Sequence, residues 1–316
     1  MTRRSAVAVS IALAGVLLYA AVRGVEWTRV LDIIAGAQLK YIAIGTGFTV
    51  CTLVLRSLRW RVLLNAEASL DVTTVFCANM VGNLSNNFLP ARAGEVVRSL
   101  LISNRSRLSK TYVLTTALSE RLMDVIALVL ASGLALWSVN PKPHWMAGAF
   151  RTMALLALAG AIAAIAIPRT ARLWKANALA GRIMDQVLLG LRAFHDRRRF
   201  LQFSGLTAAV WLSDACATVV GGWALGLDVS FPVAVLLLTG LGFASALPAT
   251  PGFVGIYQFI YVSILTMFGV SRDGALAFAL VSQVVGYLVT LALGGPGFYL
   301  LQRSAELPAV GLRSVS

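Results

Sequence analysis

The chain has 316 residues, of which 58% are hydrophobic and 13% are charged, and its formal net charge is +14. Its mean hydropathy of +0.80 is too high for an ordinary soluble domain and predicts an all-α, polytopic membrane protein. A basic excess is also found in nucleic-acid-binding proteins, but here the basic residues lie in loops between apolar stretches. The positive-inside rule therefore explains the charge, and we expect no nucleic-acid partner.

Apolar runs along the chain predict the membrane spans. A bilayer core of about 30 Å needs roughly 20 apolar residues per helix. Runs of this kind predict six complete crossings, at residues 5–22, 41–58, 111–138, 148–167, 201–224 and 275–301. The first run follows Arg3 and Arg4 and is either a signal peptide or a retained helix. Its length and its poor cleavage motif favour the retained helix.

Two further apolar regions, 72–103 and 231–270, are each broken near the middle by the same motif. Residues 89–94 and 247–252 both follow the pattern LPAxxG, and the two copies are 158 residues apart, half of the chain length. Paired Gly/Pro-broken hydrophobic segments in two halves are typical of transporters built from repeats. The pattern therefore predicts a duplicated architecture, and the alternative is two unrelated Pro-Gly kinks.

The basic loops predict the orientation of the helices. Arg3 and Arg4 place the N-terminus in the cytoplasm. The most basic loop lies between the fourth and fifth spans and is also cytoplasmic, and its segment 178–194 has the apolar spacing of a surface helix. Region 72–103 then enters from the cytoplasm as a re-entrant hairpin, whereas region 231–270 enters from outside.

Three crossings in each half make the second half inverted relative to the first, with both termini in the cytoplasm. We therefore divide the chain into a first membrane repeat, 1–140, a second, inverted repeat, 141–303, and a cytoplasmic tail, 304–316.

The two breaks supply the candidate substrate-binding residues. Half-helices beginning near Ala91–Gly94 and Pro251–Gly255 would present free N–H groups and a positive dipole end to an anion such as phosphate. Amide, hydroxyl and guanidinium side chains and glycine backbone near the breaks complete the set: Asn83, Asn86, Asn87, Arg92, Gly94, Arg98, Thr250, Gly252 and Gly255. Arg92 and Arg98 are either phosphate ligands or markers of the cytoplasmic interface.

Ionisable residues inside the predicted helices form a second set, because charge at membrane depth is costly. Glu120 lies about 14 Å into helix 111–138 at ~1.5 Å per residue, close to Arg121 and Asp124. Glu120 and Asp124 share one helix face. These residues either gate or couple transport, or they form a structural arginine–carboxylate cluster that includes Glu95.

Asp214 is a further candidate for gating or coupling, because it lies within helix 201–224. Its counterpart at the offset of 158 residues is Arg56. A pseudo-twofold axis would bring the two helices near one another, and a pair between the two side chains is a hypothesis that depends on such an axis.

The remaining reactive residues offer little for catalysis. Cys51, Cys77 and Cys216 lie far apart in apolar segments, and both histidines lie in loops. This spacing predicts neither a metal site nor a disulfide framework. No GxxxxGK[ST] sequence occurs, so we expect no cofactor and a transport driven by an ion gradient or by the gradient of the substrate itself.

The motifs together resemble a known family. The string from Asn87 to Glu95 with Arg98, then Glu120, Arg121 and Asp124, then residues 247–252 with Gly255, is similar to the flippase-like integral membrane family typified by the transmembrane region of lysylphosphatidylglycerol synthases. The similarity covers essentially the whole chain.

The resemblance implies movement of a lipid, or of a lipid-linked headgroup, between leaflets. Synthase members carry a separate soluble aminoacyl-transferase domain, for which this chain has no room after Leu301, so we expect no lysyl transfer. Two residues depart from the family pattern. Phe253 stands where the family commonly has a glycine, and Gln258 stands where it often has an acidic residue.

We therefore predict a transporter of an amphipathic, anionic or polyprenyl-phosphate type of lipid in a bacterial or archaeal cytoplasmic membrane. Arg92, Arg98 and the half-helix N-termini would hold the phosphate. A lipid-biosynthesis enzyme is a candidate partner. The two rival interpretations are a membrane enzyme that modifies a lipid headgroup and a non-transporting scaffold of a lipid-synthesis complex.

Overall fold

The computed structural model describes residues 3–89, 93–106, 108–139, 196–244 and 251–306, with isolated positions between 148 and 162. Every regular element in these ranges is helical, which confirms the all-α prediction. The helices are α1 (Arg3–Val22), α2 (Trp27–Ala35), α3 (Leu39–Leu64), α4 (Val72–Phe88), α5 (Ala93–Arg105), α6 (Lys110–Ser138), α7 (Arg197–Ala224), α8 (Phe231–Ala244), α9 (Ile256–Leu265) and α10 (Arg272–Glu306).

Four of these helices, α3, α6, α7 and α10, are long and apolar enough to cross a membrane. They contain four of the six predicted spans. The predicted span 5–22 falls in α1, whose segment Ile11–Val22 forms with α2 a pair bent by 83° that meets the same criterion when taken together. The predicted span 148–167 and the surface helix 178–194 lie outside the continuously described residues, as do Arg92 and Thr250.

The structure corrects three boundaries. The segment 23–40, expected as a loop, contains α2, which buries Val30 and exposes Trp27 and Leu31. This amphipathic helix is short, and charged residues separate its few apolar positions, so the search for apolar runs did not predict it. Helix α3 continues to Leu64, beyond its predicted end at residue 58, and α10 extends to Glu306, so the predicted tail begins inside a helix.

Each broken region folds as a pair of packed helices, α4 with α5 and α8 with α9. Helix α4 begins after Asp71, whose side chain accepts a hydrogen bond of 2.8 Å from the Thr74 backbone N–H. It ends at Phe88, just before the first LPAxxG motif, and α5 begins within that motif. Helix α8 ends before the second motif, and α9 begins after it. The predicted half-helices are therefore present on both sides of each break.

Glycine lets the two helices of the first pair approach closely. A Cβ atom at Gly94 would overlap the carbonyl oxygen of Gly82, and a Cβ atom at Gly82 would lie 2.9 Å from the Cβ atom of Arg98. Packing between α4 and α5 thus requires glycine at both positions. The approach of a ligand to Gly94 stays a prediction.

Gly252 and Gly255 form the turn that leads into α9. Their φ angles are 68° and 89°, in the left-handed region that favours glycine. A Cβ atom at Gly252 would overlap the Tyr287 hydroxyl, and one at Gly255 would overlap the carbonyl oxygen of Ala14. The close contacts at this turn are therefore made by α10 and α1, and ligand contact with these glycines also stays a prediction.

Helices α3 and α7 pack antiparallel. The Gln38 backbone N–H, just before α3, donates a 2.8 Å hydrogen bond to the carbonyl oxygen of Ala224 at the end of α7. Leu63 at the other end of α3 packs with Phe203 near the start of α7. These two helices therefore contact each other along their whole length.

The described parts of the two halves share helix order and packing. The starts of equivalent helices are residues 39 and 197, 72 and 231, 93 and 256, and 110 and 272, so each difference lies within five residues of 158. The helix contacts correspond as well. Packing of α4 on α10 matches that of α8 on α6, α3 on α4 matches α7 on α8, and α5 on α6 matches α9 on α10.

We expect Gly94→Ala to destabilise the first hairpin, because the added methyl group overlaps the Gly82 carbonyl oxygen. Overpacking of this kind costs about 1–3 kcal/mol. Thermal unfolding in detergent should therefore show a lower midpoint than for the wild type. Gly205→Ala is the matched control, since nothing lies within 4 Å of that position. Equal midpoints for the two variants would contradict the packing described.

Candidate functional site

A closed ring of six ionisable side chains lies where α3, α5 and α6 meet. Each carboxylate lies between two arginines and each arginine lies between two carboxylates, in the order Arg59, Glu120, Arg98, Glu95, Arg121, Asp124 and back to Arg59. The charges sum to zero. The structure thus brings together Glu120, Arg121, Asp124 and Glu95, as in one of the two alternatives that the sequence left open.

Arg59 is the member of the ring that sequence reasoning missed. Its side chain is 2% exposed, and its Nε lies 3.3 Å from Glu120 Oε1. Its two terminal nitrogens lie 2.5 and 3.1 Å from the carboxylate oxygens of Asp124. The predicted span 41–58 ends one residue before Arg59, which places this arginine outside the membrane. The apolar pattern that continues through Trp60 and Leu63 was the signal that the helix, and the protein interior, extends past it.

Arg98 is held on several sides. Its Nη2 lies 3.0 Å from Glu120 Oε2 and 2.5 Å from Glu95 Oε2, and its Nη1 donates a 3.1 Å hydrogen bond to Asn79 Oδ1. Its guanidinium carbon lies 4.4 Å from the centre of the Trp60 ring. Neither sequence-based role for Arg98, phosphate ligand or interface marker, describes this arrangement. Its guanidinium group is already paired with the carboxylates of Glu120 and Glu95.

Arg121 forms the accessible edge of the ring. It donates a hydrogen bond to Glu95, and its Nη1 lies 3.8 Å from Asp124 Oδ2. Its side chain is 41% exposed, compared with 2% for Arg59 and 7% for Arg98. The contact from Arg121 to Glu95 joins α6 to the first hairpin, as does the contact from Glu120 to Arg98.

Two asparagines hold the first hairpin near its break. Asn86 Oδ1 accepts a 2.9 Å hydrogen bond from the Gly94 backbone N–H across the break, as expected of a side chain that satisfies non-helical backbone. Asn87 Nδ2 donates a 2.8 Å hydrogen bond to Thr290 Oγ1 on α10. Asn83 lies half-buried on α4.

Amide side chains hold the turn of the second hairpin. Gln258 Oε1 accepts a 2.7 Å hydrogen bond from the Gly255 backbone N–H, and Gln258 Nε2 donates to Gln283 Oε1 at 2.5 Å. Gln283 Nε2 and the Tyr287 hydroxyl both donate to the carbonyl oxygen of Gly252, at 2.7 and 2.6 Å. The glutamine at position 258, noted above as a departure from the family pattern, therefore builds the turn.

The second departure from the family pattern is also part of this turn. Phe253 has a φ of 60°, a conformation that non-glycine residues adopt at a cost. A glycine would adopt it without strain, which accounts physically for the preference for glycine at this position.

The hypothesised pair between Arg56 and Asp214 is present. Arg56 Nη2 lies 2.8 Å from Asp214 Oδ2, which joins the middle of α3 to the middle of α7. The Arg56 guanidinium carbon also lies 5.3 Å from the centre of the Trp211 ring. The indole N–H of Trp211 in turn donates a 3.2 Å hydrogen bond to Asp124 of the ring. Trp211 thus links the pair to the six-charge ring.

Two cavities flank the Arg56–Asp214 pair. A cavity of about 220 Å³ lies between α3, α7, α8, α9 and α10. Most of its lining is apolar, and we name it the polar cavity for its polar residues, which include Thr46, Thr49, Asp214, Tyr257, Tyr261 and Ser282. A second cleft of about 560 Å³ lies between α6, α7 and α8 and is almost wholly apolar. Trp211 lines the apolar cleft, and Leu238 lines both.

These features define an integral membrane protein built from apolar helices, with broken helix pairs and ion pairs buried between them. Residues 7–294 match the family described as lysylphosphatidylglycerol synthase TM region. The chain belongs to this family.

Three relatives illustrate the breadth of the similarity. The chain is 26% identical to glycosyltransferase AglD of Haloferax volcanii over 95% of its own length, and it spans about half, 55%, of that protein. It is 22% identical to a UPF0104 membrane protein of Methanothermobacter thermautotrophicus over 84% of both chains. It is also 22% identical to a UPF0104 membrane protein of Methanocaldococcus jannaschii, over 69% of this chain and 94% of that one.

We expect Arg59→Ala to destabilise the protein strongly, because it leaves the buried carboxylates of Glu120 and Asp124 without one of their two arginines. Removing one partner of a buried ion pair costs about 3–5 kcal/mol. Arg29→Ala is the control, since the Arg29–Glu26 pair is 66% and 60% exposed and its loss should cost less than about 0.5 kcal/mol. Thermal unfolding in detergent measures both. A midpoint for Arg59→Ala as high as that for Arg29→Ala would contradict the ring.

Proposed function

We propose that this protein moves an amphipathic, anionic lipid between the leaflets of a bacterial or archaeal cytoplasmic membrane by alternating access. The observation that carries the proposal is the Arg56–Asp214 ion pair. Its two residues are 158 positions apart, the same offset that separates the two LPAxxG motifs. A residue can contact its own counterpart in the other half only where the axis relating the halves passes. The pair therefore supports a twofold relation centred between α3 and α7.

The antiparallel packing of α3 on α7 supports an inverted repeat, because a twofold axis in the membrane plane reverses the direction of each helix. The matching helix order and packing of the described halves support the same relation. On this proposal the repeats are 1–140 and 141–303, each with three crossings and one re-entrant hairpin. The first hairpin enters from the cytoplasm and the second from outside.

The two halves differ at the place where the first half has the six-charge ring. At the offset of 158, the counterparts of the six-charge ring and its neighbour Thr207 include four residues that line the polar cavity: Thr49, Ala217, Phe278 and Ser282. Three of the six ring positions, those of Arg59, Glu120 and Asp124, thus correspond to the lining of a cavity in the other half. An asymmetry of this kind between equivalent sites is what alternating access requires, since one side is closed while the other admits the substrate.

The proposed cycle exchanges these two arrangements. On the predicted topology the ring lies towards the cytoplasmic end of α3 and closes that side, while the polar cavity lies towards the outside and admits the headgroup. Opening the ring separates Glu95, on the first hairpin, from Arg121 on α6. We propose that Glu95, Glu120, Arg121 and Asp124 gate the cytoplasmic side in this way.

The hairpin tips would contact the headgroup as it passes between the two sides. Helix N-termini at α5 and α9 favour a phosphate through the positive end of the helix dipole. The Gly94 and Gly255 N–H groups would have to leave Asn86 and Gln258 to bind it directly. The proposed tip residues are those predicted from the sequence and not committed to the ring: Asn83, Asn86, Asn87, Arg92, Gly94, Thr250, Gly252 and Gly255.

The experiment is a leaflet-accessibility assay in proteoliposomes with a fluorescent panel of phospholipids and polyprenyl phosphates. We expect selective movement of anionic lipids by the wild type. Arg121→Ala should slow this movement by about tenfold or more, because losing about 1.4 kcal/mol from the closed gate shifts the two-state balance tenfold. Arg29→Ala should move lipid at the wild-type rate. Folded protein that moves none of these lipids would contradict the proposal.

A second candidate is the transfer of a group to a lipid headgroup, and the observation that favours it is the relative named glycosyltransferase. Product formation from a polyprenyl phosphate and an activated sugar in detergent, without a bilayer, would support that candidate. Co-purification of a lipid-synthesis enzyme with a chain that moves no lipid would instead support the scaffold interpretation.

A further inference from the structure

The Arg56–Asp214 pair differs from the six-charge ring in its number of partners. Each ring carboxylate contacts two arginines, and Glu120 and Asp124 are 3% and 7% exposed. Asp214 contacts a single arginine through its Oδ2 atom, and its side chain is 20% exposed. Protonating Glu120 would leave two buried cations, Arg59 and Arg98, short of a partner. Protonating Asp214 would release one cation.

Asp214 lines a cavity that is large enough to hold water. The polar cavity that it lines has room for about seven water molecules at ~30 Å³ each. The titratable groups facing Asp214 are Arg56 from α3 and the hydroxyls of Tyr257 and Tyr261 from α9, which lie 3.0 Å from each other. The residues of α8 and α10 that line this cavity, in the part of the chain that the structure describes, carry no charge.

Arg56, the cation paired with Asp214, lies beside an apolar cleft that could accept a hydrocarbon chain. Arg56 is stacked near Trp211, which lines the apolar cleft, and Leu238 lines both the cleft and the polar cavity. The cleft volume of about 560 Å³ is within the range of roughly 300–1,000 Å³ that is usual for ligand sites. A ligand with an apolar chain and a polar, anionic head matches the two cavities with Arg56 between them.

We infer that an anionic phosphate headgroup takes the place of the Asp214 carboxylate on Arg56, in an exchange that binds one proton: protonation of Asp214 frees Arg56 to bind the headgroup phosphate. This inference rests on the proposed function. The step forms an O–H bond on the Asp214 carboxyl from a cavity proton. The Arg56 N–H groups then donate to a phosphate oxygen in place of Asp214 Oδ2. One positive and one negative charge enter together, so the net charge of the site is unchanged.

The exchange sets the direction and the driving force of transport. One proton moves with each anionic lipid, so a proton gradient drives accumulation while the membrane potential does not. Because the polar cavity lies on the outer side in the proposed topology, an inward proton gradient carries the lipid from the outer to the inner leaflet.

Equilibrium binding of a fluorescent, short-chain phosphatidylglycerol to the purified chain tests the exchange. Its phosphodiester keeps one negative charge between about pH 5 and pH 8, so pH acts on the protein. Linkage requires that a ligand whose binding takes up one proton binds more tightly as pH falls, by up to about tenfold per pH unit. The wild type should show this dependence, and a zwitterionic phosphatidylcholine probe should not.

Asp214→Asn imitates the protonated carboxyl and should bind phosphatidylglycerol independently of pH, at the affinity that the wild type reaches in acid. Asp228→Asn removes an exposed carboxylate from the same half and should keep the wild-type dependence. The double variant Arg56→Gln/Asp214→Asn removes both charges together and should lose about tenfold or more of the affinity at every pH. Because the double variant leaves no unpaired charge, it also shows whether an effect of Asp214→Asn comes from a destabilised fold.

In proteoliposomes, a pH gradient should drive the wild type to accumulate phosphatidylglycerol in one leaflet. Asp214→Asn should move phosphatidylglycerol only down its own concentration gradient. Lipid movement by the wild type without any pH dependence would overturn the exchange and leave the proposed transport standing. Unchanged pH dependence in Asp214→Asn would also overturn it. Folded wild-type protein that moves no lipid at any pH would overturn the proposed function itself.

Discussion

A charged side chain in the interior of a membrane protein needs an oppositely charged partner, and in this chain that constraint determines how α3, α5 and α6 pack. The ring from Arg59 to Asp124 meets it by strict alternation of charge. Because its members come from three helices, the ring forms only when these helices and the first hairpin are in register. The same property makes it a suitable gate, since the ring is either closed or separated into uncompensated charges.

The second organising feature is the contact between α3 and α7. These helices lie antiparallel, and the ion pair in the middle of their interface joins residues at the repeat offset. On the proposed inverted repeat, every feature of one half has a counterpart across this interface. On that proposal, the charged ring is the closed form of a site whose counterpart in the other half, the polar cavity, is open. The Arg56–Asp214 pair lies between them and contacts Trp211, which also binds Asp124.

Much of this arrangement was predictable because it depends on patterns that are local or periodic. Apolar runs predicted the four described spanning helices, the LPAxxG motifs predicted both helix breaks, and the repeat offset suggested the Arg56–Asp214 pair. Arg59 and the partners of Arg98 were missed because a basic residue at the end of an apolar run is normally exposed. Burial of such a residue depends on carboxylates 61 and 22 positions away, which no local pattern connects.

The inversion of the two halves is the central claim, and side-specific cysteine labelling tests it most directly. Ser69 precedes the first hairpin and Ser230 precedes the second, and both are exposed. In a variant with Cys51, Cys77 and Cys216 replaced by serine, Ser69→Cys and Ser230→Cys would be treated separately with a membrane-impermeant thiol reagent in intact cells. The account predicts labelling of Ser230→Cys alone, with Ser69→Cys labelled after the membrane is opened. Labelling of both variants from the same side would contradict the inverted repeat.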